Sequence, residues 1–283
     1  MSSIYDLYAI RYATRSGRSS SENFIGNAWS SGGDDSDSPI DYYFWAIRNG
    51  SRTIVVDTGF TREEAAIRRE ATGGVWRPHF FCDPADGLRM IGIDPQTVTD
   101  VILTHLHFDH IGSLPAFPSA RFHVQEEEVQ YAIGRNMAHQ FLNSAYSRDH
   151  IKQMVDLIYG GRVVFHNGEV NLFPGISLHP LPGHTLGLQG VRVSTARGAV
   201  MLAGDSSHFY VNFQRTAPFP IVADVTRMIG SFSKLSALAD SPDHIIPGHD
   251  PLVGASYPAV SPQFGEIAYR LDQPPSYRPN TLE

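Results

Sequence analysis

The stretch Val101-Ile102-Leu103-Thr104-His105-Leu106-His107-Phe108-Asp109-His110 decides the fold of this chain. It begins as an apolar, β-branched run typical of a buried strand, and it ends in three histidines and one carboxylate. Imidazole nitrogens and carboxylate oxygens are the ligands that borderline divalent metals prefer. In an extended or turning backbone His105 and His107 face one point, and Asp109 and His110 can turn toward a neighbouring one. The stretch therefore predicts ligands for two metal ions about 3.5–4 Å apart, the separation used by two-metal hydrolases.

Four ligands cannot complete two metal sites, and three later segments supply further candidates. Each of them has an apolar or strand-like run, then a glycine, then a ligand side chain. They are residues 178–185 with His184, residues 199–205 with Asp205, and residues 243–250 with His249. Because ligands at the ends of several strands can converge at one edge of a sheet, we predict that these side chains share one cleft with the first four.

The order of these motifs, His-x-His-x-Asp-His followed by Gly-His, Gly-Asp and Gly-His, resembles the signature of the metallo-β-lactamase fold. The resemblance covers most of the chain, from Tyr42 to Pro251. Within that superfamily, Thr-His-Leu-His-Phe-Asp-His and the closing Gly-His-Asp look most like the N-acyl-homoserine lactone hydrolases and related small-lactone hydrolases. The resemblance implies an α/β (α+β) chain folded as an αββα sandwich, with two sheets between layers of helices.

The resemblance also implies a role for every candidate ligand. One divalent metal would be held by His105, His107 and His184, the other by Asp109, His110 and His249, with Asp205 bridging both. The metal would be zinc, or else manganese, iron or cobalt, because this donor set suits all four. The implied reaction is the opening of a lactone ring by a hydroxide that bridges the metals, with Asp109 as the proton shuttle to the leaving oxygen.

One position departs from the family pattern. Homoserine-lactone hydrolases carry a tyrosine three residues after the bridging aspartate, where it hydrogen-bonds the substrate carbonyl, and here that position is His208. Either His208 donates to the developing oxyanion, or Tyr210 reaches in from two residues further along, or the substrate differs. We favour His208 as the catalytic group and keep Tyr210 as the second candidate.

Composition narrows the class of protein. The net charge of −7 argues against a nucleic-acid partner, and a single cysteine, Cys82, excludes an intramolecular disulfide and a thiolate-rich zinc site. The first residues lack the pattern of a secretory signal, and no apolar run approaches the ~20 residues that span a bilayer. We therefore expect a cytoplasmic protein that acts on a small molecule, with no membrane partner, and a homodimer is left open.

The rest of the chain predicts one domain, residues 1–283, with a helical cap inserted around residues 125–160. The Ser-, Gly- and Asp-rich residues 16–39 predict a loop, either a solvated connection or a flap over the cleft. Asp57 would support the metal loop through hydrogen bonds, or else form a turn or cap a helix. The acidic residues 126–128 predict the solvated first turn of a helix. Residues 163–165 predict a strand of the second half, and residues 243–247 predict the last strand. Residues 219–238 predict one amphipathic helix.

Aromatic side chains could line an apolar pocket beside the metals. The candidates are Phe108, Trp45, Tyr146 and Phe209, and Phe141 is expected in the core.

Several different functions share parts of this pattern. Glyoxalase II hydrolyses a thioester with the same ligand set and binds glutathione through basic residues near its C-terminus, where this chain has Arg270 and Arg278. The pattern also leaves open a single-iron persulfide enzyme, a β-lactam hydrolase, and an inactive, metal-stabilised binding protein. Because all seven ligand positions are filled, we favour the dinuclear lactone hydrolase.

Overall fold

The computed structural model describes residues 4–25, 37–50 and 52–276. Within them the strands are β1 (Asp6–Arg15), β2 (Ile40–Asn49), β3 (Arg52–Val56), β4 (His79–Phe80), β5 (Asp100–Ile102), β6 (Arg121–Gln125), β7 (Val163–His166), β8 (Val170–Phe173), β9 (Ile176–Pro180), β10 (Gln189–Thr195), β11 (Gly198–Gly204), β12 (Ile245–Pro247) and β13 (Ala268–Arg270). The α-helices are α1 (Ser20–Asn23), α2 (Arg62–Ala71), α3 (Pro84–Met90), α4 (Phe108–Ile111), α5 (Glu126–Ala132), α6 (Gln140–Asn143), α7 (Arg148–Tyr159), α8 (Tyr210–Arg215), α9 (Val225–Leu238) and α10 (Pro251–Ser256).

The strands form two sheets. The first runs in the order β13-β1-β2-β3-β5-β6-β7, with β4 paired to β1, and its half from β3 to β7 is parallel. The second runs β12-β11-β10-β9-β8, with only the β11–β12 pair parallel. The parallel strands β3 and β5 end side by side in the first sheet, and β11 and β12 do so in the second. The loops that follow these four strands carry most of the metal-ligand motifs and Asp57.

Alternating side chains of the central strands build two separate hydrophobic cores. Along β2, Tyr42 and Phe44 face one core, and Tyr43 and Trp45 face the other. The first core joins the outer face of the first sheet to α3 and α5, and the second fills the space between the sheets and extends to α9. Because β2 is buried on both faces, it is largely apolar rather than alternating. The predicted αββα sandwich is confirmed.

Three predictions about elements are wrong, and one strand was missed. Strand β7 pairs with β6 in the first sheet and does not belong to the second half of the fold. The last described strand is β13, paired with β1, rather than residues 243–247. Helix α9 starts at Val225, not at Phe219, because Pro220 lies in the preceding segment and Asp224 caps the helix by accepting from the Arg227 amide. Residues 170–173, unassigned from the sequence, form β8.

Residues 126–159 are largely helical, in three α-helices and a short 3₁₀ turn. Two expectations for this segment fail. Phe141 is 70% exposed rather than in the core, and Glu128 is fully buried rather than solvated. The proposed flap falls largely on residues 26–36, which lie outside the described residues. Among the helices of the described ranges, none has the length and apolarity needed to cross a bilayer.

Candidate metal centre

The metal loop begins where β5 ends. Strand β5 stops at Ile102, and α4 begins at Phe108, so His105 and His107 lie in an irregular segment between them. Asp109 and His110 lie on the first turn of α4. This change from strand to helix within six residues lets one stretch of chain direct four ligand side chains into one space.

Three histidines form the first group, which we call the three-histidine cluster: His105, His107 and His184. Nε2 of His105 lies 3.0 Å from Nδ1 of His107 and 3.2 Å from Nε2 of His184. All three side chains are buried. Nδ1 of His184 donates to the Ile221 carbonyl at 2.6 Å, which leaves its Nε2 as the free lone pair facing the cluster.

The second group, which we call the aspartate–histidine cluster, consists of Asp109, His110, Asp205 and His249. Nε2 of His249 lies 3.1 Å from Oδ2 of Asp205 and 3.6 Å from Oδ2 of Asp109. Oδ2 of Asp205 also lies 3.3 Å from Nε2 of His184, in the first cluster. The Asp205 carboxylate therefore contacts both clusters.

The unpaired atoms of these clusters fit divalent cations. Nε2 of His110 and Oδ1 of Asp205 are buried 3.3 Å apart, and neither forms a hydrogen bond of normal geometry with a described group. Buried polar atoms without partners are costly, and a cation between nitrogen and carboxylate oxygen would satisfy both. The two clusters together offer imidazoles and carboxylates with no thiolate, which are donors that suit zinc and its neighbours.

The two clusters differ in their electrostatics. Burial lowers the pKa of His105 and His107 well below its usual value and lowers that of His184 to about 3. Burial also disfavours the charged form of His110 and His249, but the carboxylates of Asp205 and Asp109 outweigh it and raise both pKa values. The three-histidine cluster therefore offers neutral lone pairs, whereas the other cluster concentrates negative charge.

Asp57 braces the second cluster. Its carboxylate accepts hydrogen bonds from the Thr104 amide, the Thr104 hydroxyl and Nδ1 of His110, each at 2.7 Å. Its φ of 62° places it in the left-handed region, which directs the chain from β3 back beneath the metal loop. On the far side, Nδ1 of His249 donates to the Asp41 carbonyl at 2.7 Å. Asp57 thus serves both as a support for His110 and as a turn.

The two candidate catalytic groups after Asp205 occupy different places. His208 is buried, with Nε2 3.0 Å from Oδ2 of Asp205 and its ring stacked on Phe219 at 3.7 Å. Tyr210 instead lies in the core between the sheets, where its hydroxyl faces Tyr257 and burial raises its pKa. The structure brings His208 to the metal centre and does not bring Tyr210 there.

An aromatic wall borders the aspartate–histidine cluster. The edge of Tyr42 meets His249 at 5.3 Å between centroids, and Trp76 packs between Tyr42 and Phe108 at 6.4 and 5.6 Å. The wall consists of Tyr42, Trp76 and Phe108, so Phe108 lies beside the cluster, and its place in a substrate pocket stays a prediction.

The remaining predicted pocket residues have different environments. Tyr146 contacts the His107 ring at 4.4 Å, and Phe209 packs against Phe24. The prediction that Trp45 lines the pocket is wrong, because its side chain is buried between the sheets.

Sequence reasoning missed three residues that contact this site: Tyr42, Trp76 and Glu128. Tyr42 and Trp76 follow no ligand-like motif, and only the packing of β2 against the loop after α2 brings them to His249 and Phe108. Glu128 stands in an acidic run, and no feature of the sequence distinguishes it from the exposed Glu126 and Glu127.

Comparisons with known proteins agree with this architecture. The profile of the family described as the metallo-beta-lactamase superfamily matches residues 39–249. An N-acyl homoserine lactonase of a Bacillus species is 29% identical over 133 residues, 47% of this chain and 48% of that protein, so this chain spans about half the length of that relative. The N-acyl homoserine lactonase AttM of Azorhizobium caulinodans is 28% identical over 232 residues, 77% of this chain and 85% of that one.

A solved structure shares the fold. AidC, described as a dizinc quorum-quenching lactonase in complex with a product, superimposes with a TM-score of 0.68 over 97% of this chain and 95% of its own, at 18% identity. At that identity the likeness concerns the fold.

Proposed function

Because this chain belongs to the metallo-beta-lactamase superfamily, we propose that it is a dinuclear metal-dependent hydrolase that opens the ring of an N-acyl-homoserine lactone or a related small lactone. The observation that carries the proposal is the meeting of seven buried ligand side chains in two clusters joined by Asp205. Relatives named N-acyl homoserine lactonase support the lactone as substrate, and the description of AidC as a quorum-quenching lactonase supports a role in quorum quenching.

The three-histidine cluster would hold one divalent cation and the aspartate–histidine cluster the other, with the Asp205 carboxylate shared. We propose zinc, since imidazole-rich sites with shared carboxylates suit it and the AidC relative is described as dizinc. Two such cations would supply Lewis acidity for the substrate carbonyl and would lower the pKa of a water molecule to about 7.

We assign the proton transfer to Asp109. Its carboxylate lies 3.6–3.7 Å from Nε2 of His249 and His110, and its backbone carbonyl is fixed by the Tyr12 hydroxyl at 3.2 Å. A carboxylate held beside the attacking oxygen can accept its proton and deliver it to the alkoxide that leaves when the lactone C–O bond breaks.

We assign the hydrogen bond to the substrate carbonyl to His208. Its ring lies between the two clusters, 5.2 Å from the His184 ring and 4.8 Å from the His249 ring. Stacking on Phe219 fixes the imidazole plane. Burial lowers its pKa, so the imidazole is neutral. Its Nε2, which lies 3.0 Å from Oδ2 of Asp205, would offer its N–H to an oxyanion once that carboxylate binds cations.

The aromatic wall favours an apolar substituent on the substrate. Trp76, Phe108 and Tyr42 form an aromatic surface beside the carboxylate-rich cluster, with the Arg68 guanidinium over the Phe108 ring at 3.5 Å. An acyl chain packed there would gain about 25 cal/mol for each Å² of apolar surface it buries.

The proposal treats residues 1–283 as one domain in which the helices between β6 and β7 form a cap beside the centre. The contact of Tyr146, within this segment, with His107 supports that role. A cytoplasmic location and a homodimer remain predictions from the sequence.

The glyoxalase II hypothesis loses part of its support. Arg270 pairs with Asp6 at 3.0 Å and with Asp272 at 2.5 Å, so its guanidinium is engaged by carboxylates rather than presented to a glutathione. Arg278 lies outside the described residues.

The test is proton release by zinc-loaded protein on a panel of acyl-homoserine lactones of short and long chain, simple γ-lactones, an aromatic lactone and S-lactoylglutathione. We expect turnover of at least one lactone, and loss of that turnover in Asp109→Asn when it is assayed at zinc concentrations that keep two metal equivalents bound. Turnover of the thioester alone would move the protein to the glyoxalase branch, and turnover of nothing would refute the proposal.

A further inference from the structure

Glu128 is a buried carboxylate behind the three-histidine cluster. It lies on the first turn of α5 after Glu126 and Glu127, which are both exposed, whereas the Glu128 side chain has no exposed surface. A buried carboxylate is stable only where hydrogen bonds replace its hydration. The hydrogen-bond partners of Glu128 therefore indicate its structural role.

All four partners of Glu128 are donors. Oε1 accepts from the Leu106 amide at 3.0 Å and from the Tyr146 hydroxyl at 3.2 Å. Oε2 accepts from the Thr185 hydroxyl at 2.6 Å and from the Gly187 amide at 3.2 Å. Four donors directed at two oxygens require a carboxylate, because an amide in its place would turn its own N–H groups toward two of them.

These donors belong to the segments that carry the three histidines. Leu106 lies between His105 and His107 in the chain, and Thr185 directly follows His184. The ring of Tyr146 packs edge-on against His107 at 4.4 Å. One carboxylate therefore joins both ligand-bearing loops to α5 and to the side chain that supports His107.

The packing around Gly187 shows that the His184 loop is pressed against the same turn of α5. A Cβ added at Gly187 would lie 2.0 Å from the Glu128 nitrogen and 2.4 Å from its Cα. The loop thus approaches the helix closely enough that no side chain fits between them.

The hydrogen bonds of Glu128 within the described part of the chain do not extend to the aspartate–histidine cluster. That cluster is braced separately, by Asp57 at His110 and by the Asp41 carbonyl at His249.

From this arrangement we propose that Glu128 is a positioning residue that sets the metal affinity of the three-histidine cluster independently of the aspartate–histidine cluster. The inference rests on the dinuclear centre of the proposed function, but not on which substrate the enzyme hydrolyses. Outer hydrogen-bond partners of metal ligands typically change metal affinity by about 10–100-fold, and we expect an effect of that size at one cluster only.

The test measures zinc bound per chain in the full-length protein after dialysis against a series of zinc buffers, for wild type, Glu128→Gln and Glu127→Gln. Glu127 is the matched control, since it is adjacent, exposed and paired with Arg227 at the surface. We expect wild type and Glu127→Gln to bind two equivalents at high free zinc and to lose the first of them at the same lower free zinc. Glu128→Gln should lose one equivalent at about 10–100-fold higher free zinc than wild type does.

Two double variants identify the cluster that is affected. Glu128→Gln combined with His249→Ala, a ligand of the other cluster, should bind no zinc at the intermediate buffer, whereas Glu128→Gln combined with His107→Ala should keep one equivalent. Retention of both metals with wild-type affinity in Glu128→Gln, or equal weakening of both sites, would overturn the proposal.

If Glu128→Gln does not fold, as judged by near-UV circular dichroism, Thr185→Val decides the matter. It removes only the 2.6 Å donor and keeps the shape of the side chain. A weaker three-histidine site is expected, and unchanged affinities would refute the inference. Because no step uses lactone turnover, a negative result here is separate from a wrong substrate.

Discussion

The two halves of the metal centre hold their ligands in different ways. In the aspartate–histidine cluster, support acts on the rings themselves, since Asp57 binds Nδ1 of His110 and the Asp41 carbonyl binds Nδ1 of His249. In the three-histidine cluster, the carboxylate of Glu128 acts one step away, on the Leu106 amide and the Thr185 hydroxyl. The three-histidine cluster also has direct ring contacts, from Nδ1 of His184 to the Ile221 carbonyl and from Nδ1 of His105 to the Thr104 hydroxyl. Glu128 adds to these a carboxylate that holds the two loops carrying its histidines.

The two clusters also differ in the charge that surrounds their histidines. Carboxylates raise the pKa of His110 and His249 despite their burial, whereas burial lowers the pKa of His105, His107 and His184. A cation entering the aspartate–histidine cluster is attracted by charge, and one entering the three-histidine cluster depends on the placement of neutral nitrogens. Loop geometry should therefore matter more to cation binding at the three-histidine cluster than at the aspartate–histidine cluster.

The largest effect is expected where the two halves meet. Asp205→Asn removes the charge of the carboxylate that contacts both clusters, so both metal sites should weaken together and kcat/KM on the best lactone should fall by about 10³-fold or more. Zinc per chain and initial rates check this. The control is Asp149→Asn, whose carboxylate is 67% exposed on α7. Two tightly bound metals in Asp205→Asn would show that the halves do not share this ligand.

The next effect concerns a residue that belongs to neither half. His208→Ala should lower kcat/KM by about 10²-fold, the usual loss for one oxyanion donor, while both metals stay bound. His208→Gln keeps an N–H donor and should recover part of the rate. A change within about threefold, which is under 1 kcal/mol, would remove His208 from the reaction. Loss of metal would instead make it a support for Asp205.

Asp57→Asn tests the support of the aspartate–histidine cluster, as Glu128→Gln tests the support of the three-histidine cluster. Asparagine tolerates the positive φ of this position, but its amide group faces donors at Thr104 and His110. We expect about 10–100-fold weaker zinc binding at the aspartate–histidine cluster and a smaller effect at the three-histidine cluster, which Asp57 reaches only through the Thr104 hydroxyl beside Nδ1 of His105. Combined with Glu128→Gln, both equivalents should be lost at the intermediate zinc buffer. If the double variant still holds one metal, the two carboxylates brace the same cluster, and the comparison fails.

The sequence predicted which candidate ligands come together better than it predicted the residues that support them, for a physical reason. Ligand spacing in the metal loop is local, and a strand that ends before His105 already directs its side chains. The burial of Glu128 depends on which face of α5 meets the loop after β9, a contact between residues 59 positions apart. Nothing in the run Glu126-Glu127-Glu128 encodes that choice.

The same limit explains further differences between the predictions and the fold. Trp45 and Tyr42 lie on opposite faces of β2, and because both faces are buried, alternation alone could not tell which one borders the metals. Phe219 was expected in a helix, but it lies before α9 and stacks on His208. The fold class followed from the order of motifs, whereas the environment of each aromatic residue followed from tertiary packing.

The smallest expected effect tests the charge difference itself, in metal-free protein. The pKa of His184 is about 3 in the folded chain and near its ordinary value of 6.5 when unfolded, so below pH 6.5 the unfolded state binds the extra proton. Its contribution to stability is therefore present above pH 6.5 and is lost as the pH falls. Between about pH 7.5 and 5.5 this single group should cost about 1.4 kcal/mol of unfolding free energy.

His184→Gln removes that titration while keeping a polar side chain of similar size. Urea unfolding of both metal-free proteins at the two pH values should therefore show a smaller acid-dependent loss in the variant. His110→Gln provides the contrast, because carboxylates raise the pKa of His110, and its contribution is present below pH 6.5 and lost at higher pH. If both variants change the acid-dependent loss in the same direction, the two halves of the centre do not differ in charge as their geometry indicates.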